Sequence, residues 1–153
     1  MSRARRIERR VDDGVMTRLP LVAAPMAGGP STPALVVAAA EAGALGFLAA
    51  GYKTPEALAA DIGAVREGTD QFGVNLFVPH AVPVDPAAYA AYADRLQDLA
   101  SRHGVTALPE EPREDDDAWD AKVELLVAEP VPVVSFTFGV PAPSVVQALH
   151  GVG

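Results

Sequence analysis

Short apolar runs alternate with segments of helical periodicity along this chain. The apolar runs predict strands at Leu21–Ala24, Leu45–Ala50, Phe72–Val78 and Val131–Gly139. Because these runs are continuously apolar instead of alternating with polar residues, they are typical of a parallel sheet that is covered by helices. Successive βα units of this kind predict an α/β fold.

A helix with a recognisable start follows each predicted strand. Thr32, Thr54 and Asp85 each precede a proline, an arrangement that favours helix capping. The first predicted helix is Pro33–Ala42, and the last is Ser144–His150. Between them, a second helix begins at Pro55 with Leu58, Ile62 and Val65 on one face, and a third runs from Pro86 towards Gly104 with Tyr89, Ala93, Leu96 and Ala100 on one face. A short fourth helix follows Asp117 with Trp119, Val123 and Leu126 on one face. The stretch Pro109–Asp117, rich in charge and proline, predicts an exposed loop.

The junction between the first strand and the first helix has almost no side-chain bulk. Leu19–Ala24 predicts a buried strand, and small residues then follow Pro25 as far as Gly29. Such a loop at the carboxyl end of a strand lets a flat or phosphorylated ligand lie against backbone. It contains no Gly-x-Gly-x-x-Gly, so the dinucleotide fingerprint is absent. We expect a ligand site at this corner.

Two sheet architectures fit this pattern. An open parallel sheet would be complete in itself, whereas a (β/α)8 barrel needs about 250 residues and twice as many βα units. The pattern of apolar positions does not decide between them.

Composition narrows the class of protein. The chain has 153 residues, half of them hydrophobic, which suffices for one domain with a core. It has no cysteine, which excludes disulfides, thiolate catalysis and thiolate metal sites, and we expect no metal. No segment predicts a transmembrane helix or a secretory signal, so we expect a cytoplasmic protein that does not bind membranes.

The net charge of −8 is unevenly distributed. Arginines crowd the first ten positions, and acidic residues crowd the stretch from Glu110 to Glu129. An acidic body argues against a nucleic-acid partner. We therefore divide the chain into a basic, solvated arm at residues 1–18 and a folded domain at residues 19–153.

Four segments of the chain, taken together, resemble one known family. Leu19–Gly51 is strongly similar to the opening of the nitronate monooxygenases, also called 2-nitropropane dioxygenases. Phe72–Phe77 (FGVNLF), Asp117–Lys122 (DAWDAK) and Val133–Gly139 (VVSFTFG) resemble later segments of that family in the same order. The resemblance implies an FMN-dependent TIM (β/α)8 barrel, of which this chain is the N-terminal half, with about four βα units.

The resemblance also implies where the cofactor lies. Pro25, Met26 and Ala27 would follow the isoalloxazine, mainly through backbone, and Asn75 would hydrogen-bond the ring. A flavin requires a flat apolar wall and a few fixed donors and acceptors, and an amide offers both donor and acceptor. Apart from the family, Met26 also fits ordinary core packing and Asn75 a turn at a strand end.

The implied reaction oxidises alkyl nitronates with O2 at FMN and yields carbonyl compounds and nitrite. The family's histidine lies in a Gly-Gly-His-Arg-Gly-like loop downstream of the fourth βα unit, which we expect beyond Gly153. We therefore assign no catalytic residue, since His80, His103 and His150 are in no such motif. The phosphate loops after strands seven and eight are also absent from the sequence. A half barrel of this kind predicts weak stability or self-association through open sheet edges.

Other residues and other functions stay open from the sequence. Thr137, Phe138 and Gly139 would face the mouth of a barrel or serve packing alone, and Tyr52 and Lys53 are similarly placed. The alternative functions are an FMN-dependent enzyme resembling enoyl-thioester reductases, and a non-catalytic half barrel that is a binding module or a remnant.

Overall fold

Strands and helices follow one another in the predicted order after an antiparallel pair of strands that the sequence did not predict. The computed structural model describes residues 9–11, 15–80 and 83–153. Its elements are β1 (Arg9–Val11), β2 (Val15–Thr17), β3 (Val22–Ala23), α1 (Pro33–Ala42), β4 (Leu45–Ala49), α2 (Pro55–Arg66), β5 (Phe72–Phe77), α3 (Pro86–Arg102), α4 (Trp119–Ala128), β6 (Val133–Thr137) and α5 (Pro143–His150). The chain divides into two compact units, Met1–Pro79 with Asp117–Gly153, and His80–Asp116. The predicted arm at residues 1–18 and domain at residues 19–153 stay a prediction.

The main sheet is parallel and its strands lie in chain order. The order is β3-β4-β5-β6, and every neighbouring pair is parallel. Asn75 lies opposite Ala49 on one side and Ser135 on the other. The α/β prediction is confirmed, because each parallel neighbour is reached through a connection that contains a helix. The separate strands β1 and β2 pair antiparallel.

The predicted helix caps are present. Thr32 and Thr54 accept hydrogen bonds through Oγ1 from the backbone N–H three residues on, each at 3.2 Å. The Asp85 carboxylate accepts from the Ala87 N–H at 2.7 Å. These bonds satisfy N–H groups that the first helical turn leaves without partners. None of the helices within the described ranges has the length and apolar character needed to cross a membrane.

The core lies between one face of the sheet and the helices. Its buried members come from alternate strand positions, from the helix faces and from the segment before β6: Val36, Leu48, Leu58, Ile62, Val65, Phe72, Val74, Leu76, Leu126 and Val131. A smaller cluster, in which Leu45 and Phe47 pack with Val133, occupies the opposite face. Since side chains alternate between faces along a strand, the second face also carries Gly73, Asn75 and Phe77. We call this second face the inner face.

The first strand of the sheet differs from its prediction. Leu19–Ala24 was expected to form a buried strand, but β3 has two residues, and Leu21 and Val22 are 60% and 55% exposed. The reason is position in the sheet, because β3 is an edge strand that pairs only with β4. An apolar run therefore predicted the strand correctly and its burial wrongly.

The smaller unit is built around α3. The helix has no fully buried residue, but the four residues of its predicted apolar face are half-buried: Tyr89, Ala93, Leu96 and Ala100. Within this unit the Tyr89 hydroxyl donates to the Pro109 carbonyl at 3.0 Å. The Val84 N–H donates to the Glu114 carboxylate at 3.2 Å. Hydrogen bonds to Pro109 and Glu114 therefore supplement the half-buried apolar face of α3.

We expect Gly46→Ala to destabilise the fold. A Cβ at Gly46 would lie 2.8 Å from the Val36 Cα, which is backbone of α1 and has to shift to make room. The expected loss is about 1–3 kcal/mol in the free energy of unfolding, measured by urea denaturation. Gly63→Ala is the matched control, because this exposed helical glycine has nothing within 4 Å of a new Cβ. That control should stabilise by about 0.5–1 kcal/mol, and equal effects of the two changes would contradict the packing described.

Candidate functional site at the carboxyl ends of the strands

The inner face changes from apolar to polar towards the carboxyl ends of the strands. Leu45 and Val133 begin their strands, and Phe47 lies in the middle of β4. A Cβ at Gly73 would lie 2.2 Å from the Phe47 ring, so the ring occupies the space that glycine leaves. Further along the strands the register brings Asn75 opposite Ser135. A polar patch therefore lies at the sheet edge where ligands bind in parallel α/β folds.

Asn75 is the centre of that polar patch. It is 4% exposed, and its Nδ2 donates to the Ser135 Oγ at 2.9 Å. The Thr137 hydroxyl donates to the Asn75 Oδ1 at 3.1 Å. The two bonds use one of the two amide donors and one of the two Oδ1 lone pairs. The side chain is thus fixed in orientation and keeps one donor and one acceptor for another group.

Ser31 organises the small-residue loop after β3. It is 2% exposed, its Oγ accepts from the Met26 N–H at 2.8 Å, and its hydroxyl donates to the Ala24 carbonyl at 3.4 Å. Pro25 and Ala27 are half-buried, whereas Met26 is 43% exposed. These bonds tie both ends of the loop together just before the N-cap of α1 and restrain its backbone.

The loop ends in two glycines with left-handed backbone. Gly28 has φ 84° and Gly29 has φ 123°, and a Cβ at either would have nothing within 4 Å. Glycine is required for the conformation and not by crowding. The space beside both residues is open to an approaching group.

The structure places the two predicted parts of the site at the same end of the sheet. The loop from Pro25 to Ala27 follows β3, and Asn75 lies near the end of β5, with β4 between them. Two strand spacings separate them by about 10 Å across the sheet. They do not contact each other, and only an extended ligand would touch both. Their assignment as cofactor-binding residues stays a prediction.

An aromatic cluster lies beyond Asn75. The Phe77 ring is 5.5 Å from the Tyr52 ring and 4.8 Å from the Phe138 ring, in edge-to-face arrangements. Tyr52 and Phe138 have φ of 66° and 71°, and they are 78% and 67% exposed. Left-handed backbone costs such residues about 1–2 kcal/mol, so both loops are held in place by other contacts. The predicted position of Tyr52 and Phe138 at the ends of their strands is confirmed.

Lys122 is a buried charge that sequence reasoning missed. It is 1% exposed on α4, where its Nζ lies 2.8 Å from the Asp117 Oδ2 and donates to the Ala50 carbonyl at 3.0 Å. The Asp117 Oδ1 accepts from the Tyr52 N–H at 2.8 Å. A signal was present in the sequence, because Lys122 follows Trp119 by three residues and precedes Leu126 by four. It therefore lies on the predicted apolar face of the helix.

Each of the three histidines lies at or beyond the end of a secondary-structure element. His80 is exposed after β5, His103 follows the last turn of α3, and His150 is the last residue of α5. Lys53, in the loop before α2, pairs with Asp61 of that helix. Within the described part of the chain no group of three or more histidine, aspartate or glutamate residues could hold a metal ion.

The sequence profile of the nitronate monooxygenases matches residues 11–153. The chain belongs to the nitronate monooxygenase family. It is 36% identical over 139 residues to a probable nitronate monooxygenase of Bacillus subtilis and 37% identical over 141 residues to a nitronate monooxygenase of Pseudomonas aeruginosa. These matches take in 88% of this chain in both cases, but 38% and 39% of the relatives. The chain thus spans about two fifths of the length of these family members.

Solved structures support the same family and fold. Nitroalkane oxidase from Streptomyces ansochromogenes is 46% identical, with a TM-score of 0.75 over 90% of this chain and 39% of that one. FabK from Thermotoga maritima is 26% identical, with a TM-score of 0.56 over 88% of this chain and 31% of that one. The predicted fold, about four βα units that correspond to the N-terminal half of a TIM barrel, is confirmed. The predicted class, a nitronate monooxygenase-like oxidoreductase, is confirmed at the level of the family.

We expect Thr137→Val to destabilise the nitronate monooxygenase-like fold. Valine keeps the shape of threonine but removes the hydroxyl that donates to the buried Asn75 Oδ1. Loss of this donor should lower the free energy of unfolding by about 1–3 kcal/mol, measured by urea denaturation with Trp119 fluorescence. Thr106→Val is the control, because Thr106 is exposed, and it should change the free energy of unfolding by less than about 0.5 kcal/mol. A Thr137→Val protein as stable as the control would show that the bond is not formed in solution.

Proposed function

We propose that this chain contributes to FMN-dependent oxidation of alkyl nitronates by O2, with carbonyl compounds and nitrite as products. Family membership carries the proposal, together with the polar patch around Asn75 at the carboxyl ends of parallel strands. In this proposal Pro25, Met26, Ala27 and Asn75 bind the cofactor, and the substrates are a small nitronate and O2.

The residues present fit a flavin. Asn75 is buried, fixed by Ser135 and Thr137, and keeps one amide donor and one acceptor that can meet the polar edge of a flavin ring. The loop from Pro25 to Ala27 presents a half-exposed backbone, and the two glycines after it leave space for close approach. A planar ring with one polar edge matches this combination of a bulk-free wall and a fixed amide.

The chain's own residues would act by binding and orienting. Bound FMN would supply the redox chemistry, taking electrons from the nitronate and passing them to O2. Ser31 holds the loop through the Met26 N–H, so the wall costs little ordering on binding. Ser135 and Thr137 hold the Asn75 amide in one orientation, which determines where its remaining donor and acceptor point. We assign no proton transfer to His80, His103 or His150.

The first test is the visible spectrum of the purified chain with added FMN, followed by a nitrite assay with an alkyl nitronate. Bound flavin and nitronate-dependent nitrite formation support the proposal. Flavin that is bleached by reduced nicotinamide and not by nitronate would favour the enoyl-thioester reductase alternative. Bound flavin with no turnover would favour the binding module, and a chain that binds no FMN would overturn the cofactor assignment.

We expect Asn75→Leu to weaken FMN binding. Leucine has a similar volume but neither donor nor acceptor, so the dissociation constant, measured by quenching of flavin fluorescence, should rise about tenfold or more. Gln97→Ala is the control, because this amide is exposed on α3 and should leave the constant within about twofold. Equal FMN affinities of the Asn75→Leu and Gln97→Ala proteins would contradict the assignment of Asn75 to the FMN site.

We also propose that the chain associates with itself through open sheet edges. In the described sheet β3 and β6 each pair on one side only, and the exposed Leu21 and Val22 lie at the β3 edge. We expect the average mass from sedimentation to rise with protein concentration. A monomer at all concentrations, with one cooperative unfolding transition, would contradict this proposal.

A further inference from the structure

We propose that the ion pair of Lys122 and Asp117 is a positioning device that holds the loop Gly51–Lys53 beside the candidate flavin site. Its effect on flavin rests on the function proposed above, whereas its effect on the loop does not. Lys122 and Asp117 are bonded to each other, to the Ala50 carbonyl and to the Tyr52 N–H, so the role proposed for them at the site is indirect.

The ion pair links the start of α4 to residues after β4 that are far from it in the sequence. Asp117 precedes α4 and Lys122 lies one turn into it, while Ala50 and Tyr52, to which they are bonded, follow the end of β4. Lys122 Nζ donates to the Ala50 carbonyl, and Asp117 Oδ1 accepts from the Tyr52 N–H. Two bonds with partners two residues apart fix both the position and the direction of this loop.

Burial of Lys122 has a free-energy cost that packing of the helix on the sheet does not explain. A lysine that is 1% exposed loses its hydration, and a hydrophobic residue at the same place would serve a helix–sheet contact at least as well. Asp117 and Tyr52 also have left-handed backbone, with φ of 56° and 66°. Strained conformations of this kind persist where surrounding contacts hold them, and they cluster at functional sites.

Phe77 connects the loop Gly51–Lys53 to the candidate site. Tyr52 packs edge-to-face on Phe77, which lies on the inner face two residues after Asn75. A Cβ at Gly51 would lie 2.3 Å from the Phe77 ring, so the loop backbone also lies directly against that ring. Release of Asp117 would free the Tyr52 N–H and let the loop move away from Phe77.

The direct test is amide hydrogen exchange at Tyr52 in Lys122→Met. Methionine keeps much of the length of lysine but leaves the Asp117 carboxylate without its ammonium partner. We expect exchange of the Tyr52 N–H to become about tenfold faster relative to the Val74 N–H of β5, because the loop opens locally. Leu126→Ala is the control, since it removes a buried side chain from the same helix without touching the pair. A Tyr52-to-Val74 ratio that is equal in the two variants would overturn the inference.

A second variant keeps the test decisive if Lys122→Met does not fold. Lys122→Met combined with Asp117→Gly leaves neither charge buried, and glycine accepts the φ of 56° at that position. The Tyr52 N–H has then lost its acceptor, and its exchange relative to Val74 should again be about tenfold faster than in the wild type. Unchanged protection of Tyr52 in the double variant would overturn the inference.

Flavin affinity tests the link to the site. Lys122→Met should raise the dissociation constant for FMN about tenfold, while Leu126→Ala should leave it within about twofold despite its lower stability. An affinity in Lys122→Met equal to that of Leu126→Ala would overturn the inference while the proposed function stands. If the wild-type chain binds no FMN, the proposed function fails, and the exchange ratio still decides whether the pair holds the loop.

Discussion

The alternation of side chains across a parallel sheet is the constraint on which this structure depends. Helices α1, α2 and α4 cover one face, so the strand positions that point to them are apolar without exception in β5: Phe72, Val74 and Leu76. The intervening positions are then free to differ. Gly73 makes room for the Phe47 ring, and Asn75 takes up its hydrogen bonds with β6. One strand thus serves the core and the site at once.

The polar patch is stable because its members satisfy one another. An isolated amide at 4% exposure would be costly, but Asn75 gives a bond to Ser135 and receives one from Thr137. These partners are two residues apart on β6, so the register of two neighbouring strands builds the whole arrangement. A shift of one residue in that register would turn Ser135 and Thr137 towards the helices.

Helix α4 carries the least expected feature of the fold. The apolar face that begins with Trp119 and ends with Leu126 also contains Lys122, which hydrophobic periodicity alone treats as an exception. Burial of this lysine requires a carboxylate and a carbonyl in place before the helix can pack. Asp117 and Ala50 provide them, and the contact between α4 and the residue after β4 is polar where the surrounding core is apolar.

The sequence by itself predicted the elements from β3 onwards, the caps of α1, α2 and α3 and the class of fold, because apolar periodicity and helix starts are local properties of the chain. It also indicated the loop from Pro25 to Ala27 and Asn75 through family resemblance, and both lie at the same end of the sheet. Only the tertiary structure showed the exposure of Leu21 and Val22, since burial depends on which strands lie at an edge. It alone paired Lys122 with Asp117 and Asn75 with Ser135 and Thr137. Such pairs join residues that are distant in the chain, and their partners are decided by strand register and helix packing.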